Sequence, residues 1–393
     1  MSKARSLDKV TASAGNFGEV FAAVRAALSG GPAVLPLPEG PEPTRAALLD
    51  ALRPDLPLEE DAAFVVPTSG STGEPKGVLL SAEAVLASVD ATHARLGGTG
   101  RWLLALPTTH IAGLMVLVRS VVGGSEPLVL DTSGGFDPET FAASSVRLLA
   151  ESPMRRYTSL VPKQLAAIVA AGGCAIEALA AYDAVLLGGS TAAPDLVARA
   201  RAAGVELVTT YGTTETSGGC VYDGYPLDGV KVEAGPDRRI RLAGPMLAGG
   251  YRLQPDLSSD AFAHGWFITS DAGWLDASGR LYVTGRIDDI AITGGVNVPL
   301  AAVDAAVASH PEVDEACAVA LPDAEWGERI VVAIVAGAAG PPTLESVRAH
   351  VTKSLPTAYA PKELIVVDRL PMLTGQKVDR RAMTTQLLEG FSG

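Results

Sequence analysis

Thr68-Ser69-Gly70-Ser71-Thr72-Gly73-Glu74-Pro75-Lys76-Gly77 packs four hydroxyl side chains, three glycines and one lysine into ten residues. The apolar run Ala62-Ala63-Phe64-Val65-Val66 precedes it and reads as a buried strand; Val78-Leu79-Leu80 and an alanine-rich helical pattern follow. Glycines let a backbone approach an anion closely, hydroxyls and N–H groups donate to its oxygens, and a lysine offsets charge, so the stretch is built to hold a polyphosphate. It is not a Walker A loop, which requires G-x-x-x-x-G-K-[ST]; here Lys76 is followed by Gly77.

A chain of 393 residues exceeds one ordinary core, so two or more domains are expected. Hydrophobic residues make up 48% and charged residues 19%, the balance of a packed globular protein and not of a disordered one. The net charge of −13 argues against nucleic acid or an anionic membrane as partner, so an anionic ligand must be gripped by local cations. Cys174, Cys220 and Cys317 are scattered without a CxxC pair, which predicts neither a disulfide framework nor a zinc site. No apolar h-region follows Met1-Ser2-Lys3-Ala4-Arg5 and no run reaches membrane-spanning length, so the expected compartment is the cytoplasm.

Apolar runs at 102–106, 127–130, 158–161, 184–187 and 205–209 alternate with helical patterns at 83–96, 162–171 and 194–203. That alternation predicts an α/β class: a large layered N-terminal domain with mostly parallel sheets. A helical pattern at 20–28 and a Pro-rich connector at 32–43 precede it. Between 220 and 285, short strands at 240–243 and 281–283 separated by Gly, Asp and Pro turns predict a β-rich subdomain. After Gly285-Arg286-Ile287-Asp288-Asp289 the pattern becomes a small mobile α+β C-terminal domain: helix 300–309, strands 317–321 and 330–336, helix 344–353 and strand 364–367. The expected domains are 1–287 and 288–393.

The phosphate stretch resembles that of the acyl-adenylate-forming superfamily of acyl-CoA synthetases, adenylation domains and luciferases. Further segments resemble it in the same order. In Tyr211-Gly212-Thr213-Thr214-Glu215, at the carboxyl end of a strand where open α/β sheets bind ligands, Tyr211 offers a ring for adenine, Thr214 a donor for phosphate and Glu215 a hard oxygen ligand for Mg²⁺. Gly188 and Gly189 join the implied ATP-binding set of Thr68, Ser69, Gly70, Ser71, Thr72, Gly73, Lys76, Tyr211, Gly212 and Thr213. Asp271 stands where the family's aspartate accepts both ribose hydroxyls, although Ser270 replaces the usual glycine before it. Arg286 resembles the second ribose or phosphate contact and Asp288 the hinge residue. Lys377, six residues after Pro371, matches the lysine that the C-terminal domain brings to the reacting phosphate, with Gln376 in place of the usual glycine. Gly294 and Gly295 would line the pantetheine tunnel. The resemblance implies activation of a carboxylic acid with ATP and Mg²⁺, then acyl transfer to coenzyme A. A plain polar loop, a turn aspartate, a surface ion pair and a solvated terminal lysine are the structural alternatives for these positions.

Two segments bear on the acid. His110 precedes an apolar helix spanning 111–122 that Arg119 interrupts, and a charge there either snorkels to the surface or meets an anion. Thr158-Ser159-Leu160-Val161-Pro162-Lys163, with Leu186-Leu187-Gly188-Gly189-Ser190, resembles the o-succinylbenzoate–CoA ligase branch of menaquinone biosynthesis. That resemblance implies a substrate site with His110, Ser159, Gly188 and Arg119, the last facing a second carboxylate, and His110 beside Thr214, Glu215 and Lys377 as catalytic. The alternatives are an aryl- or short-chain acyl-CoA ligase, a domain that loads a carrier protein, and a non-catalytic nucleotide-binding relative. Only 67 residues precede the phosphate stretch, so the N-terminal subdomain is expected to be shortened, and a homodimer would cover the surface thereby left open.

Overall fold

The computed structural model describes residues 5–40, 42–59, 61–69, 75–151, 154–337, 339–373 and 377–390. Its centre is a seven-stranded sheet. Strands Leu128–Val129, Gly100–Leu104, Arg155–Leu160, Ala184–Leu187 and Leu207–Thr213 lie side by side in parallel. Gly218–Tyr222 and Tyr225–Pro226 finish the sheet antiparallel. The parallel strands are covered on both faces, as parallel sheets require. One face packs on helices Ala82–Leu96 and Ile111–Val122 around Trp102, Leu104, Tyr157 and Leu186. The other packs on helices Pro138–Glu151, Pro162–Ala171, Gly173–Ala180 and Pro194–Ala202 around Leu103, Leu160, Val185 and Leu207. Helices Pro138–Glu151 and Gly173–Ala180 are additional to those expected.

Local signals set the helix ends. Ser81 caps helix Ala82–Leu96 by accepting from the Ala84 N–H at 3.0 Å, and Gly97 closes it in the left-handed conformation at φ 82°. Pro162 opens its helix at the first turn, where no N–H is needed.

A second sheet of five strands runs from Leu7–Ala12 through Ala33–Pro38, Phe64–Ser69 and Pro75–Leu80 to Gly250–Tyr251. Here one expectation is corrected: the Pro-rich 32–43 stretch is not a connector but the buried strand Ala33–Pro38 followed by the start of helix Glu42–Leu52. Proline is tolerated because the Ala33 N–H donates to Ser6 O and the Val34 N–H to Ala63 O, so by alternation the missing N–H groups of Pro36 and Pro38 fall on the Phe64–Ser69 side, beyond the Val34↔Phe64 pairing, and the ladder to Leu7–Ala12 does not need them.

The β-rich stretch forms its own five-stranded sheet around Ile240, Leu242 and Phe267. Beyond Asp289, strands Ile290–Thr293, Val296–Pro299, Val313–Asp323, Gly327–Ala336 and Glu363–Val366 make a further sheet. It is packed by helices Leu300–Ala308, Leu344–Val351 and Arg380–Gly390 around cores that draw only on residues after 290.

Candidate active site

The parallel strands end on one edge of the central sheet. Leu104 leads to His110, Leu160 to Val161, Leu187 to Gly188 and Thr213 to the turn Thr214–Thr216. This is the edge where open α/β sheets take ligands; His110, Gly188, Thr214 and Glu215 follow on from these strands, and the expected residues ahead of the C-terminal part fall into three groups.

The first group surrounds the phosphate stretch. Phe64–Ser69 and Pro75–Leu80 form a hairpin in which Thr68 pairs with Lys76 and Ser69 with Pro75. Gly70, Ser71, Thr72 and Gly73 lie outside the described residues. Gly77 is packed so closely that a Cβ would stand 2.7 Å from Leu52 Cδ2 and 2.9 Å from Val65 Cγ1. Lys76 Nζ stands 5.6 Å from the ring centroid of Tyr251, and the Tyr251 hydroxyl donates to Glu215 Oε1 at 2.8 Å. Burial first, and then the Glu215 carboxylate, push the Tyr251 phenol well above its usual value, so it stays a donor. Thr213 Oγ1, beside Thr214, is buried without a partner among the described residues. Among the described residues, no group of three or more His, Cys, Asp and Glu side chains is gathered to cage a metal. One carboxylate such as Glu215, completed by phosphate oxygens, is how Mg²⁺ is commonly held, so the donor set fits that ion.

The second group is a carboxylate clasp. Tyr211 donates its hydroxyl to Asp271 Oδ2 at 2.8 Å, and Asp271 is the cross-strand neighbour of Arg286. Arg286 Nη2 pairs with Asp288 Oδ2 at 3.3 Å in the turn Ile287–Asp289. Burial, then Asp271, raises the Tyr211 phenol, which therefore stays protonated and directs one Asp271 oxygen. Gly212 is required by close approach: a Cβ there would lie 2.1 Å from the Gly218 carbonyl oxygen.

The third group runs along helix Ile111–Val122 on the Trp102 face of the sheet. His110 is its N-cap residue, and burial lowers the imidazole's pKa, favouring the neutral ring. Ser159 is buried, and at Gly188 a Cβ would stand 2.5 Å from Thr210 Oγ1. Arg119 is not at the surface: it is 3% exposed, its guanidinium lies 5.1 Å from the Trp102 ring centroid, and among the described residues its Nε has no acceptor. Trp102 Nε1 and His93 Nε2 are also buried without partners among the described residues. Burial lowers the Arg119 pKa, and burial then nearby Arg119 lower that of His93.

The remaining expected residues lie in the C-terminal part. Gly294 and Gly295 form the turn between Ile290–Thr293 and Val296–Pro299, with Gly294 against Trp326. The backbone of Lys377 pairs with Leu373. Sequence reasoning missed Tyr251, Trp102 and His93. An aromatic after two glycines, an aromatic in a buried strand and a histidine on a helix carry no spacing rule that would single them out.

Comparison with known proteins gives a consistent result. The probable 2-succinylbenzoate–CoA ligase of Mycobacterium tuberculosis strain H37Rv is 49% identical over 341 residues, covering 86% of this chain and 88% of that one. The o-succinylbenzoate CoA synthetase of Bacillus subtilis in complex with its acyl-adenylate intermediate superposes with a TM-score of 0.80 at 24% identity, over 97% of this chain and 88% of that one. The same enzyme with ATP and magnesium superposes at 0.73 and 27% identity, over 84% and 71%. Residues 14–252 match the AMP-binding enzyme family and residues 302–377 its C-terminal domain. Matched over residues 14–252 and 49% identical to the Mycobacterium tuberculosis relative along 86% of its own length, the chain belongs to the AMP-binding enzymes of the acyl-adenylate-forming superfamily.

Proposed function

We propose that this protein is an AMP-forming acid–thiol ligase that adenylates 2-succinylbenzoate and passes the acyl group to coenzyme A, a step of menaquinone biosynthesis. The observation that carries the substrate is Arg119. An arginine in an apolar core without an anionic partner is costly, and its natural complement is a second carboxylate. His110 and Arg119 stand nine residues apart on one helix, about 13 Å along its axis, and side chains lean toward the helix N-terminus. That separation suits an acid whose succinyl carboxylate reacts near His110 while its ring carboxylate reaches inward past Ser159 and Gly188.

In this reading Thr68, Ser69, Gly70, Ser71, Thr72, Gly73 and Lys76 cradle the phosphates, and Thr214 donates to the α-phosphate. Asp271, held by Tyr211, accepts the ribose hydroxyls with Arg286 beside it; Gly188, Gly189, Gly212 and Thr213 border the nucleotide. Glu215 would hold Mg²⁺, which offsets phosphate charge when bound. The carboxylate oxygen attacks the α-phosphorus, the bond to pyrophosphate breaks, and an acyl-adenylate forms. Lys377 stabilises the charge on the transferring group. The C-terminal part, 288–393, then turns at Asp288, and the CoA sulfur, reaching in past Gly294 and Gly295, attacks the acyl carbon and expels AMP. Use of ATP and CoA suits the cytoplasm, and the net charge of −13 disfavours nucleic acid or an anionic membrane as partner.

Pyrophosphate exchange across a panel of acids tests the reading. Exchange should be strong with 2-succinylbenzoate and weak with 4-phenyl-4-oxobutanoate, which lacks the ring carboxylate. Arg119→Met should raise the KM for the diacid by about a hundred-fold, the scale of a buried charge pair, and leave the KM for ATP unchanged. Exchange confined to mono-acids would sink the substrate assignment.

A further inference from the structure

Opposite charges at a shared site attract strongly once partly removed from water, and Lys76 and Glu215 converge on one. Lys76 comes from strand Pro75–Leu80 and Glu215 from the turn Thr214–Thr216. If they paired, the cation needed for phosphate and the carboxylate needed for metal would cancel each other. Among the described residues they do not pair, and the Tyr251 side chain engages both. Its hydroxyl donates to Glu215 Oε1 at 2.8 Å, and its ring lies 5.6 Å from Lys76 Nζ. The ring is itself fixed. It is 8% exposed, its centroid lies 5.7 Å from that of Phe262, and its own N–H donates to Ser258 Oγ at 2.8 Å.

We propose that Tyr251 is a positioning residue that holds Lys76 and Glu215 apart, presenting a free ammonium to the nucleotide phosphates and a directed carboxylate oxygen to their divalent cation. The ring attracts the ammonium by cation–π contact without neutralising it. Among the described residues the hydroxyl engages one Glu215 oxygen and no side chain donates to the other. The inference rests on the nucleotide-binding chemistry of the proposed function and not on which acid is used.

Two variants separate the ring from the hydroxyl. Tyr251→Phe keeps the ring beside Lys76 and frees Glu215; Tyr251→Leu removes both. ATP binding is measured by calorimetry in EDTA and in Mg²⁺, with Mn²⁺ binding to the ATP complex followed by electron paramagnetic resonance. Tyr251→Phe should bind ATP in EDTA like wild type and lose about ten-fold in the enhancement by Mg²⁺ and in Mn²⁺ affinity, the scale of one hydrogen bond to a charge. Tyr251→Leu should weaken ATP in EDTA as well, because Lys76 then pairs with Glu215. Adding Glu215→Gln to it should restore that arm while leaving metal binding poor. Wild-type metal enhancement in Tyr251→Phe, or a Tyr251→Leu defect that Glu215→Gln does not relieve, would overturn the proposal. None of these arms contains an acid, so a failure of the ligase assignment reads out separately, in pyrophosphate exchange.

Discussion

Buried polar side chains are where this protein departs from a plain hydrophobic core. His93 is 7% exposed, and burial followed by the nearby Arg119 charge lowers its pKa, with Asp90 opposing. A histidine whose folded pKa lies below its ordinary value of about 6.5 makes the folded state bind fewer protons than the unfolded chain between those two values. Its stabilising contribution is therefore complete above about pH 6.5 and is lost as the pH falls through that window toward the folded value. Denaturant unfolding at pH 7.5 and pH 5.5 should show lower stability at the acid value. His93→Gln should shrink that difference, and an unchanged difference would contradict the assignment. His110, lowered by burial, adds to the same slope. His110 and Arg119 were readable as unusual residues in the sequence and His93 was not; nor was it readable that Arg119 turns inward over Trp102, since snorkelling and burial have the same local pattern.

At the level of elements, the phosphate hairpin depends on a partner far away in sequence. Arg252 is 1% exposed and donates to the carbonyls of Leu52, Arg53, Leu56 and Pro57 and to the Glu59 carboxylate. Its own N–H donates to Gly77 O at 2.7 Å, so one residue ties the 52–59 loop to the strand that follows the phosphate stretch. Arg252→Met would leave those carbonyls and Glu59 without their donor, at a cost of about 3 kcal/mol. The expected readout is a lower denaturant midpoint together with weaker ATP binding; loss of ATP binding at unchanged stability would point instead to a direct nucleotide contact. The strand that opens the hairpin was legible as an apolar run, and its partner Pro75–Leu80 was not read as a strand. Nor was the Arg252 cage legible, because its partners lie about 200 residues away, and no periodicity reports such a pairing.

For the molecule as a whole, a link between the N-terminal layers and the C-terminal sheet is an ion pair. Lys163, in helix Pro162–Ala171, meets Glu315, in strand Val313–Asp323, at 2.5 Å. Their side chains are 69% and 30% exposed, so the pair is worth no more than about 1 kcal/mol and is screened by salt. That is the most by which the pair would bias the domain rotation proposed above. Glu315→Gln should slow whichever half-reaction uses this arrangement by at most about five-fold, spare the other, and lose its effect in 1 M salt. Pyrophosphate exchange and CoA acylation of preformed adenylate separate the two; equal changes in both would rule out a role in domain arrangement.

By itself the sequence determined the class of element along most of the chain and the chemistry of the nucleotide site, because strand runs, helix caps and phosphate-binding stretches are written in residues close together. The strand Ala33–Pro38 escaped it, since whether proline breaks a strand depends on which neighbour needs the missing N–H. Only the tertiary structure decided that Arg119 is a buried cation, that Tyr211 steers Asp271, and that Tyr251 stands between Lys76 and Glu215. Those contacts join residues from separate strands and turns, and their energies exist only once packing has excluded water from between them.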